Sequence, residues 1–293
     1  MTELVNATAA VLIALVPLAA AMLALYTPYR RVAFSLLIAS LMAALYVGVM
    51  AGVGALAAAV LILLCYFAAH TRDDRRKHVL WLTGAGCLSF LMALHIIPGF
   101  NYTPIVSQVL LSPQATPFKL AIGYDKALAG AILVFFLVQV TRTKHGWWKV
   151  ARTLLTVPMV TLLCVIPLGM LLGVFAFDPK LSPHLPLWIF LNLFVTVIAE
   201  EVFFRVLLQD SVTAWLSGKV CYAAWWSVLV VAVLFAAAHG GGGLAYAVLV
   251  FFAGCGYGAA YKWGGIEAAV GTHFIVNLVH FLFLTYPALA DVG

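Results

Sequence analysis

The stretch Leu187-Trp-Ile-Phe-Leu-Asn-Leu-Phe-Val-Thr-Val-Ile-Ala-Glu200-Glu201-Val-Phe-Phe-Arg205 sets two carboxylates and a guanidinium behind an almost wholly apolar run. The whole stretch, 187–205, is about as long as a membrane-crossing helix, which needs roughly 20 residues of apolar character. A charge near the bilayer centre costs at least ~2.5–3.5 kcal/mol. Charges so closely spaced stay there only if they pair, line a wet cavity or do chemistry.

The rest of the chain has the same character. Hydrophobic residues make up 65% and charged residues 9%, against roughly 45–50% and about 25% in a soluble domain. The reading is therefore all-α, a polytopic transmembrane helix bundle with about 8–10 spans. Ten candidate segments fall at 6–26, 32–50, 53–70, 79–97, 124–141, 154–176, 187–208, 220–239, 244–262 and 265–286. The amino terminus lacks the basic flank of a secretory signal, so the first run is expected to remain as a span. Residues 98–123, with Pro98, Pro104, Pro113 and Pro117, read as a long loop carrying a short interfacial helix. Residues 1–150 are amino-terminal transmembrane helices without an assignable motif, and residues 151–293 hold the functional core in the last four helices.

A net charge of +6 suggests a polyanion, but the basic residues lie in short loops between spans. There they set topology, so the expected partner is the lipid bilayer and not nucleic acid. Of the 16 Lys and Arg, Lys119, Lys126 and Lys180 fall on one side and Arg205 within a span. The others, from Arg30 to Lys262, fall on the opposite side, which is expected to face the cytoplasm. Cys65, Cys87, Cys164, Cys221 and Cys255 lie scattered in or beside apolar segments and read as small buried hydrophobes, not as a disulfide frame or zinc site.

Three of the last four helices carry polar residues that lipid would not tolerate. Glu201 and Arg205 are spaced i,i+4, as in an intrahelical ion pair. Glu200 points about 100° away and is available for other work. Phe235-Ala-Ala-Ala-His239 is followed by four glycines, which free the backbone for close approach. His273-Phe-Ile-Val-Asn277 places an imidazole and a carboxamide on one helical face, and His280, one turn on, reads as structural or interfacial. A carboxylate with a histidine can hold and deprotonate water. A histidine with an asparagine can donate to an oxyanion. The set suits amide hydrolysis without a serine or cysteine nucleophile. At ~1.5 Å per residue, Glu200 and His273 both lie about 18 Å from the outer face, in the middle to outer half of the membrane.

The order Glu200-Glu201-x-x-x-Arg205, Phe235-x-x-x-His239 and His273-x-x-x-Asn277 resembles the CPBP family, the CAAX prenyl endopeptidase type of glutamic intramembrane protease. The resemblance covers about residues 187–286 and implies an intramembrane endopeptidase of the bacterial cytoplasmic membrane. Glu200 and His239 would activate the water, and His273 and Asn277 would form the oxyanion pocket. Glu201 and Arg205 would hold the glutamate-bearing helix. It implies no metal and no other cofactor, and a protein or peptide substrate reaching the membrane site. Bacterial relatives of this type are associated with bacteriocin maturation or immunity and with processing of carboxy-terminal sorting tails. Three other readings stay open: a zinc hydrolase using the histidines and a glutamate, a proton-coupled transporter, and a non-catalytic membrane scaffold.

Overall fold

The computed structural model describes the backbone of residues 2–290 and the side chains from residue 7 onward. It is largely helical. The helices are α1 (Thr2–Ala24), α2 (Arg30–Tyr46), α3 (Gly52–His70), α4 (Arg75–Ala93), α5 (Tyr124–Leu137), α6 (Lys144–Leu171), α7 (Leu185–Leu216), α8 (Ala223–Ala238) and α9 (Leu244–Phe283). Within α9, Gly265 adopts φ 78°, where a side chain is strained, and this breaks the helix in two. The ten expected apolar segments thus each correspond to a helical stretch. Among the described residues, α1, α3, α6, α7 and α9 are long and apolar enough to cross a membrane. The protein is a multi-pass integral membrane protein.

Surface composition agrees with that. Large apolar side chains stand on the outside of the helices, among them Leu155, Val160 and Leu163 on α6 and Leu229 and Val233 on α8. Water would not favour such faces, whereas hydrocarbon does. The polar residues Ser40, Asp125, Glu201, Arg205, Gln209 and His273 are buried.

Residues 98–123 contain no helix of their own. They form the strands β1 (Tyr102–Val109) and β2 (Phe118–Gly123), paired in a two-stranded sheet, in place of the expected interfacial helix. Pro104, Pro113 and Pro117 oppose helix, while Tyr-Thr and Ile-Val favour extended backbone.

The chain folds as two compact units that interleave in sequence. The first holds the chain through Ile105, Leu120–Val140 and Phe190–Phe203. In it α1 packs on α2 and α3 on α4, and α5 lies against α1, α3, α4 and the middle of α7. That central position explains why α5, only 14 residues long, is buried along nearly its whole length. Its small residues permit close packing: a Cβ on Gly130 would come within 2.7 Å of the Ala199 Cα. Its ends are tied by polar contacts. The Tyr124 hydroxyl donates to Ser40 Oγ (2.7 Å), which in turn donates to the Ala14 carbonyl (2.7 Å), and Arg30 donates to the Phe135 carbonyl (3.3 Å).

The second unit holds Val106–Lys119, Thr141–Ile189 and the chain from Phe204 onward. Here α9 is flanked by α6 and α8. Glycines on α9 bring α6 close: Gly256 faces Thr161, Gly264 faces Thr153 and Gly271 faces Leu154. Glu267 accepts from the Thr141 backbone N–H (2.7 Å) and hydroxyl (3.0 Å), pinning the chain just before α6.

Candidate active site

The glutamate motif lies midway along α7, where the helix changes its bonding pattern. Asn192–Val197 and Val202–Gln209 are π-helical, and only Ile198–Glu201 between them is α-helical. The sequence reading assumed α-helical spacing through Arg205. The wider i→i+5 bonding turns the chain less per residue and alters that register. Such π segments are often found at functional sites.

Glu200 and Glu201 belong to the first unit. Glu201 is fully buried. Glu200 is largely buried, and its Oε1 accepts from the Lys126 ammonium at 2.6 Å. Lys126 thus does more than set topology, since from the first turn of α5 it meets Glu200. Its neighbour Asp125 is buried and accepts at one oxygen from His95 Nδ1 (2.7 Å) and from the Lys126 backbone N–H (2.9 Å). His95 has φ 58°, and its ring lies 4.8 Å from that of Tyr102. Phe203 stacks on Phe90, with centroids 5.8 Å apart.

The remaining motif residues belong to the second unit. Arg205 is fully buried and donates to Gln209 Oε1 (3.2 Å), while Gln209 Nε2 donates to the Gly258 carbonyl (3.1 Å). The Arg205 guanidinium also lies 5.8 Å from the centre of the Phe235 ring. Phe235 is the hub of this unit. Its ring meets Phe204 edge-on (4.9 Å), His239 (4.5 Å) and His273 (5.8 Å).

The expected segment 220–239 runs longer than the helix it corresponds to. Tyr222 takes a left-handed conformation, α8 begins at Ala223, and His239 caps its carboxy end. His239 Nδ1 lies 2.8 Å from the Phe235 carbonyl. A carbonyl only accepts, so Nδ1 carries the proton and Nε2 of the neutral ring is left as the basic nitrogen.

His273 is buried and stacked on Tyr257, with centroids 4.2 Å apart and planes 12° from parallel. Asn277 follows one turn on. It lines a cavity of about 70 Å³ together with Tyr257, Tyr246 and His280 in an otherwise apolar wall. His280 Nε2 lies 3.3 Å from the Thr285 carbonyl, and its ring packs on Phe175 and Tyr286, as befits a structural residue.

The second unit thus gathers His239, His273 and Asn277 about Phe235 and Tyr257, and the first unit holds Glu200 with Lys126. Chemically, His239 offers a base nitrogen and His273 with Asn277 offer donors, while Glu200 offers a paired carboxylate. Lys126, Tyr257 and Gln209 escaped the sequence reading. Lys126 carried a signal as a cation bordering a buried helix, whereas Tyr257 and Gln209 sit among apolar residues without a motif. Among the described residues, no three His, Cys, Asp or Glu side chains gather closely enough to hold a metal ion.

Residues 182–279 match the family model described as Type II CAAX prenyl endopeptidase Rce1-like. The match contains every motif residue from Glu200 to Asn277 and begins just before α7. Comparison with curated proteins and with solved structures found no match. The matched segment, about a third of this membrane protein, is thus similar to the CAAX-type proteases of the CPBP family.

Proposed function

We propose that the protein is a glutamic intramembrane endopeptidase that cleaves a protein or peptide presented in the membrane. Glu200 takes the proton of the hydrolytic water and His239 shares that proton through Nε2. His273 and Asn277 donate hydrogen bonds to the oxyanion that forms as the water adds to the scissile carbonyl. Collapse of that adduct expels the amine, which leaves with the proton taken from water. Glu201 and Arg205 hold the glutamate-bearing helix. The working location is the bacterial cytoplasmic membrane, and the substrate class is a membrane-presented segment such as a carboxy-terminal sorting tail.

The observation that carries this reading is the pairing of His239 and His273 on one phenylalanine ring, with Asn277 a turn beyond, inside the segment that matches the protease family. The fixed Nδ1–H of His239 supports its role as a base, because it leaves Nε2 unprotonated in the neutral ring.

The test is to compare, by mass spectrometry, the termini of membrane proteins from cells lacking the chain and from cells complemented with variants. Glu200→Gln and His239→Ala are expected to accumulate the same precursors as the deletion, while each protein remains folded in detergent. Full processing by Glu200→Gln overturns the mechanism. Processing in purified membranes is expected to persist under strong chelation, which a zinc hydrolase would not survive.

A further inference from the structure

A carboxylate in an apolar helix is driven to take up a proton, because the low-dielectric interior penalises its charged form. A protonated glutamate cannot act as a base. If Glu200 is the base proposed above, something must hold it in the ionised form, and the notable neighbour is a cation. Lys126 Nζ lies 2.6 Å from Glu200 Oε1, and only 19% and 13% of the two side chains are exposed. That distance is short even for a charge-assisted hydrogen bond.

From this geometry we infer that Lys126 is a positioning residue of the reaction, which keeps the Glu200 carboxylate ionised and fixes its orientation. The inference rests on the reading of Glu200 as the base.

The surroundings of Lys126 suit such a task. A lysine side chain is long and mobile, so a fixed ammonium needs a fixed backbone. Asp125 provides one. Its carboxylate accepts the Lys126 backbone N–H within the first turn of α5 and is itself held by His95. His95 occupies the space beside Gly123 that any larger residue there would claim. On the opposite side, Gly130 lets α5 approach α7 at Ala199, the residue before Glu200. Both partners of the ion pair are therefore set by close packing of α5 on α7 within one compact unit.

Chemical labelling tests the proposal without knowledge of the substrate. Dicyclohexylcarbodiimide is apolar and adds to a protonated carboxyl group, not to a carboxylate. The full chain in detergent micelles is treated at pH 7 and modification of Glu200 is read by peptide mass mapping. Wild type is expected to stay essentially unmodified. Lys126→Met is expected to be labelled at least ten times more, and Lys126→Arg, which keeps the charge, to return to the wild-type level. Equal labelling of Glu200 in wild type and Lys126→Met overturns the proposal. Should Lys126→Met fail to fold, Glu200→Gln serves from the other side: acetylation of Lys126 by acetic anhydride should rise several-fold over wild type. Unchanged acetylation also overturns it. Neither readout depends on proteolysis. Full precursor processing by Glu200→Gln would sink the proposed function, whereas lost processing with unchanged labelling would sink only the role of Lys126.

Discussion

The imidazole of His273 lies flat on the ring of Tyr257, with centroids 4.2 Å apart and planes 12° from parallel. The two side chains lie on opposite sides of the break that Gly265 makes in α9, and His273 also meets the edge of Phe235. An imidazole that donates to an oxyanion works only if its ring is aimed before the charge develops. Two aromatic walls supply that aim. Tyr257→Ala is expected to lower the processing rate by about tenfold or more, since small misplacements near reacting atoms can cost up to ~10²-fold. Tyr257→Phe, which keeps the stacked face, should retain most of the rate. Rates are compared by pulse-chase of an accumulated precursor.

Gly130 and Ala199 set how near α5 comes to α7. A Cβ at position 130 would meet the Ala199 Cα and Cβ at 2.7 Å, both too rigid to yield cheaply. Overpacking of this kind costs about 1–3 kcal/mol. Gly130→Val is therefore expected to lower the thermal unfolding temperature in detergent and to weaken the Lys126–Glu200 pair, since both partners ride on these two helices. Gly52→Ala, where nothing lies within 4 Å of the added carbon, serves as the control and should leave the melting curve in place.

Much of this fold was legible in the residues because a bilayer constrains helices so strongly. Apolar run lengths located each helical stretch, and the division between the segments 244–262 and 265–286 falls at the break that φ 78° at Gly265 makes. The strands β1 and β2 were missed because their proline-rich segment has no hydrophobic period long enough to read. The π-helical stretches around Glu200 were also beyond reach. Their i→i+5 bonding is a response to what packs on α7, and no local residue pattern encodes it. Lys126 is the clearest case. From its position it reads as a topological charge, and only the packing of α5 on α7 carries it to Glu200, 74 residues away in sequence.

Glu267 offers a test of the second unit that does not touch the proposed chemistry. It accepts both the backbone N–H and the hydroxyl of Thr141, and thereby ties α9 just beyond its break to the start of α6. Removing one partner leaves partly buried donors unsatisfied, at about 1–3 kcal/mol. Glu267→Ala is expected to lower stability by that order in chemical denaturation, and Thr141→Val by less, because the backbone N–H keeps its acceptor. Equal stability of Glu267→Ala and wild type would assign the contact no structural weight.

Orientation decides where a substrate enters, and the two ends of α8 report it. Lys219 lies in the exposed turn before this helix and Gly241 in the exposed glycine run after it. At ~1.5 Å per residue the 16-residue helix holds them roughly 24 Å apart along its axis. The excess of Lys and Arg on the Lys219 side favours the cytoplasm for that end. Gly241 has nothing within 4 Å of an added Cβ, so a cysteine fits there without strain. In a background with the five native cysteines replaced, Gly241→Cys is expected to react with a membrane-impermeant maleimide added to intact cells. Lys219→Cys should react only after the membrane is opened. The reverse pattern would place His239 at the cytoplasmic face and would exclude substrates whose cleavage site is presented from outside.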